Sequence, residues 1–166
     1  VRFAVTQTFR SPAEAVTAAY ADPALYPSLV GLPKLGGVEA LTHERDGDHV
    51  LQRIRYRFTG HLPSAVTAVV DPAKLSWVQE SDHDLATGTT TFRLLPDHYP
   101  DRLRASGTFE VRPAGRVAGA SRVVTGELKV RAPLVAGRVE GAIVSGLEEY
   151  LAAEAPRVDA WIDGGS

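Results

Sequence analysis

The chain has 166 residues, 44% hydrophobic and 23% charged, the profile of a globular protein long enough to bury a real core. A formal net charge of −2 gives no electrostatic reason to bind nucleic acid or an anionic membrane. With no cysteine in the chain, disulfides, thiolate nucleophiles and cysteine-based zinc sites are excluded.

The first segment, Phe3 to Phe9, alternates as a strand with Phe3, Val5 and Phe9 on one face. It lacks a signal-peptide core, and no apolar run approaches the roughly 20 residues of a membrane span, so a cytoplasmic chain without an integral membrane segment is expected. Methionine is absent, so the encoded start is expected to differ from Val1. Ser11-Pro12-Ala13-Glu14 reads as a capping box with proline at the first helical position, opening a helix to about Ala21. Asp22-Pro23 repeats the signal for a second short helix through about Ser28.

Antiparallel strands follow. Segments 38–45 and 49–59 flank the turn Asp46-Gly47-Asp48, a hairpin pattern. Further strands are expected at 75–83, 88–95, 102–112 and 121–131. Leu62 to Val70 is ambiguous: its β-branched residues favour a strand, whereas Pro63 suits a short helix. Gly107 and Gly126, inside strand patterns, imply sharp curvature or close backbone approach.

After Pro133, apolar residues recur at helical spacing: Val135, Val139, Ala142, Ile143, Gly146, Leu147, Tyr150 and Leu151. A helix over 134–155 would be about 33 Å long. Pro156 is expected to kink or end it. The chain reads as one domain over 1–163 with a flexible tail at 164–166.

The order strand, two short helices, six strands and long helix defines an α+β fold in which the helix packs across the sheet. In this order, and in the segment from Val130-Arg131-Ala132-Pro133 through Leu151-Ala152-Ala153-Glu154 to Trp161, the chain resembles the START and Bet v 1-like helix-grip (SRPBCC) superfamily. This superfamily includes polyketide cyclase-like proteins. The segment is similar to its bacterial domain-of-unknown-function 2505 branch. The resemblance implies a curved seven-stranded antiparallel sheet gripping the long helix around an apolar cavity, and it carries over no catalytic residue.

Candidate ligand contacts are the inward positions Tyr56, Phe58, Trp77, Gln79, Phe92, Leu94, Leu103 and Phe109 on the strands. On the helix they are Ala142, Ile143, Gly146, Leu147, Tyr150 and Glu154. Gly146 suggests tight helix–sheet packing more than a void. Glu154, a carboxylate on the apolar arc, is expected to be paired or hydrated near the open end of the sheet, with an acid or ligand-orienting role as the alternative. The histidines show no metal-ligand spacing, and no cofactor motif is present. Arg53, Arg55 and Arg57 form a basic stripe that reads as a solvated face. Oligomeric state is not legible.

The leading reading is a carrier or sensor of an apolar small molecule: a lipid, a polyketide-like compound or an aromatic metabolite. A cyclase- or dehydratase-type enzyme is the alternative, and a partner-binding module with a filled core is a third. No catalytic motif is found. A deep apolar pocket favours the first, convergent titratable groups the second, and a closed interior the third.

Overall fold

Strand alternation and one helical stripe organise the whole molecule. A computed structural model describes residues 1–115 and 118–164, with only the backbone described at Ala65. The strands are β1 (Arg2–Phe9), β2 (Leu35–Asp46), β3 (His49–Phe58), β4 (Ser76–Asp84), β5 (Thr89–Pro96), β6 (Leu103–Pro113) and β7 (Ala120–Val130). The helices are α1 (Ala13–Tyr20), α2 (Ser64–Thr67) and α3 (Ala136–Asp163), with 3-10 turns at Pro23–Ser28 and Pro72–Lys74. The ambiguous 62–70 segment is therefore helical around α2, following Pro63.

All seven strands join one antiparallel sheet in the order β1-β7-β6-β5-β4-β3-β2. The β2–β3 hairpin closes where Asp46 pairs His49, with Gly47 at φ 60°, a conformation glycine adopts at no steric cost. Gly107 pairs directly with Gly126. A Cβ on Gly107 would fall far inside contact distance of the Thr125 carbonyl oxygen, so the two backbones approach as closely as the sequence suggests.

Two terminal expectations need correction. Ser11 does not cap α1; Pro12 holds the N-cap position with no side-chain hydrogen bond, and the Ser11 hydroxyl donates instead to Asp159 Oδ1 at 2.7 Å. A buried carboxylate is the stronger acceptor. Nor does Pro156 end α3, which runs 28 residues, about 42 Å, to Asp163. Pro156 and Ala152 are both exposed, so the carbonyl the proline leaves without a donor can face water. Beyond the proline, Asp159 accepts from the backbone N–H groups of Arg10 and Ser11, and Arg157 donates to the carbonyls of Ser28 and Val30. These contacts hold the last two turns in place. Of the expected tail, Gly164 is the helix C-cap and residues 165–166 lie outside the described residues.

The interior divides along α3. Its C-terminal half buries Leu151, Ala155 and Val158 against Phe9, Val16, Tyr20, Leu25 and Leu29, a packed core at the α1 end. Its N-terminal half leaves Ala142, Ile143 and Leu147 only half-buried. The Arg53, Arg55 and Arg57 stripe lies on the opposite face of β3, where Arg53 pairs with Glu80 and Arg55 with Asp97.

Candidate functional site

Beneath the N-terminal half of α3 lies a cavity of about 620 Å³, well within the range of small-molecule sites. Every strand lends it at least one side chain, from Phe3 on β1 to Leu128 on β7. An antiparallel sheet whose seven strands all reach one cavity must curve strongly around it. Segments on either side of α2, the 96–102 loop and residues 130–133 complete the wall.

The structure brings the sequence candidates together. Tyr56, Phe58, Trp77, Gln79, Phe92, Leu94, Leu103 and Phe109 line the cavity from the sheet. Ala142, Ile143, Gly146, Leu147, Tyr150 and Glu154 line it from the helix. Aromatic rings dominate the wall: Tyr56 stacks on Trp77 with centroids 6.1 Å apart and meets Tyr150 edge-on at 6.5 Å, while Phe92 and Phe109 lie 4.8 Å apart. Gly146 is a correction. A Cβ there would meet only Lys34 Cγ at 3.8 Å, so this glycine borders open space rather than a tight helix–sheet contact.

Glu154 is paired, as expected, but it is 3% exposed, deep at the α1 end and not at an open edge. Its Oε1 accepts from the Tyr20 hydroxyl at 2.5 Å and from Gln7 Nε2 at 3.2 Å, with Arg122 Nη1 at 3.8 Å. Arg122 donates to Gln7 Oε1 at 2.9 Å, and its guanidinium lies between the rings of Tyr20 and Phe109, 3.5 and 3.7 Å from their centroids. Stacked between two rings, hydrogen-bonded to Gln7 and paired with Glu154, this cation is compensated although buried.

A second polar group adjoins. Gln52 Nε2 donates to the Tyr20 carbonyl at 2.9 Å and to His83 Nε2 at 3.1 Å, while Thr90 Oγ1 meets His83 Nδ1 at 2.9 Å. Burial, then the nearby Arg122 charge, lowers the His83 pKa to about 4, so the ring is neutral at pH 7. Burial also pushes Tyr20, Tyr56 and Tyr150 well above the usual tyrosine range, so their hydroxyls keep their protons. Among the described residues no cluster of histidine and carboxylate side chains has the arrangement of a metal site.

Sequence reasoning missed Gln7, Tyr20, Gln52, His83 and Arg122. A signal existed: Gln7 sits between Val5 and Phe9, Gln52 between Val50 and Ile54, and Arg122 between Ala120 and Val124, each a polar residue at inward parity.

A curved antiparallel sheet holding a long helix over a cavity is the START and Bet v 1-like helix-grip fold. The chain belongs to the DUF2505 family, described as a protein of unknown function, which matches residues 4–162. TTHA0849 from Thermus thermophilus is similar at 16% identity with a TM-score of 0.70, covering 100% of this chain and 99% of that one. The ZhuI aromatase/cyclase from Streptomyces sp. R1128 gives 20% and 0.67, covering 98% and 93%. Norcoclaurine synthase from Thalictrum flavum gives 18% and 0.65, covering 98% and 86%. At these identities the likeness is one of fold. No curated protein matches the sequence. No described helix is long and apolar enough to cross a membrane.

Proposed function

We propose that this protein binds an apolar small molecule, a lipid, polyketide-like compound or aromatic metabolite, between its sheet and α3, as a carrier or sensor in the cytoplasm. The observation that carries this reading is the cavity of about 620 Å³, walled by aromatic and aliphatic side chains and left unfilled by them. A partner-binding module with a filled core would not retain such a space. The aromatase/cyclase and norcoclaurine synthase neighbours support a small-molecule role at the level of fold.

The enzyme reading draws on the titratable groups that meet at the α1 end: Tyr20, Glu154, Arg122 and His83. Their mutual engagement favours the binding reading. Arg122 is clamped between two rings, Tyr20 donates to Glu154, and His83 is held by Gln52 and Thr90. Groups that satisfy one another are poorly placed to exchange protons with a substrate. Native mass spectrometry of protein purified from its own host tests the proposal. An apolar compound retained in the gas phase and released on denaturation is the expected result; steady turnover of such a compound, lost in Glu154→Gln, would transfer the assignment to the enzyme.

A further inference from the structure

The Tyr150 hydroxyl is the one buried side-chain polar atom among the described residues that has no hydrogen-bond partner. Tyr150 is 4% exposed and lines the cavity. One helical turn further along the same face stands Glu154. Its three polar neighbours, Tyr20, Gln7 and Arg122, all converge on Oε1, and none of them uses Oε2. Burial, then the Glu154 charge and the approach of its carboxylate to the hydroxyl, raise the Tyr150 pKa, so the two groups face each other closely while the hydroxyl still lacks a partner at full hydrogen-bond distance and angle. A donor without a partner and a carboxylate oxygen that Tyr20, Gln7 and Arg122 leave unused therefore share the inner end of the site, beside polar groups already engaged with one another.

These two groups select a ligand chemistry. A ligand carbonyl could accept from Tyr150 but would set its lone pairs against a carboxylate. A ligand carboxylate or phosphate would add a second negative charge beside Glu154, where Arg122 supplies one positive charge and already balances the first. A hydroxyl accepts from Tyr150 and donates to Glu154 with the same oxygen, and so satisfies both. We propose that the ligand is an apolar molecule bearing one neutral hydroxyl, an alcohol or a phenol, seated at the inner end of the cavity between Tyr150 and Glu154. This deepens the reading of the cavity as a ligand site and rests on it.

The test uses three probes on one ring skeleton, 2-naphthol, 2-methylnaphthalene and 2-naphthoate, measured by equilibrium dialysis at neutral pH against wild type and Tyr150→Phe. Removing a hydroxyl that has no protein partner should leave the fold intact, which a thermal melt checks. The substitution should weaken 2-naphthol about tenfold, the worth of one hydrogen bond, and change 2-methylnaphthalene by less than about twofold. In wild type, 2-naphthoate should bind more weakly than 2-naphthol, a comparison that needs no variant. Equal losses for both neutral probes, no loss for 2-naphthol, or tighter binding of 2-naphthoate would overturn the hydroxyl assignment and leave the cavity reading standing. Failure of wild type to bind either neutral probe would remove the cavity reading and this proposal together.

Discussion

Arg122 and Glu154, 5% and 3% exposed and 3.8 Å apart, tie β7 to α3 beneath the inner end of the cavity. Breaking such a pair leaves one buried charge uncompensated. Arg122→Met should cost about 3–5 kcal/mol in urea-induced unfolding. The double variant Arg122→Met/Glu154→Met should cost much less than the sum of the two single changes, because neither charge is then stranded. A single-variant cost below about 1 kcal/mol would mean the pair does not hold the helix to the sheet.

The glycines give a contrast of sign. Gly107→Ala drives a methyl group into the β7 backbone at Thr125 and Gly126, which cannot swing aside as a side chain can, and should destabilise by about 3 kcal/mol or more. Gly141→Ala, on α3 with nothing within 4 Å, should stabilise by about 1 kcal/mol through helix propensity alone. Thermal melts of the two variants check both signs at once.

His83 links stability to acid. Its ordinary value is 6.5 and its folded value about 4. In that window the unfolded chain binds a proton that the folded chain does not, so stability falls as pH drops from about 6.5 to 4, by about 3 kcal/mol in total. The difference between wild type and His83→Gln, taken from denaturant titrations across this range, isolates the contribution. A flat difference curve would contradict the buried neutral ring.

Much of this was readable from residues alone, for reasons specific to each element. Alternation marked β1 and β3, turn residues bounded the other strands, and the stripe from Val139 to Leu151 set the facing of α3. The inward aromatic positions followed from parity, which is why Tyr56, Trp77, Phe92 and Phe109 all reach the cavity. The Tyr20–Glu154–Arg122 cluster did not follow. Its members come from α1, α3 and β7, and only tertiary packing brings them together. Pro156 does not end the helix, although its local penalty is real, because Asp159 and Arg157 anchor the chain beyond it. At Gly146, residue order alone cannot tell a close neighbour from an empty space, since both favour a missing side chain.

The most direct test of the ligand site is therefore Gly146→Leu, read by thermal melting and by equilibrium dialysis of 2-methylnaphthalene on the same preparation. The Cβ at this position meets only Lys34 Cγ at 3.8 Å, so the leucine side chain can enter the cavity without displacing the sheet. Helix propensity adds about 1 kcal/mol in favour of the variant. Stability should hold or rise while probe affinity falls about tenfold, the worth of roughly 1.4 kcal/mol of lost apolar contact. A clear loss of stability with unchanged probe affinity would contradict the cavity as the site of binding.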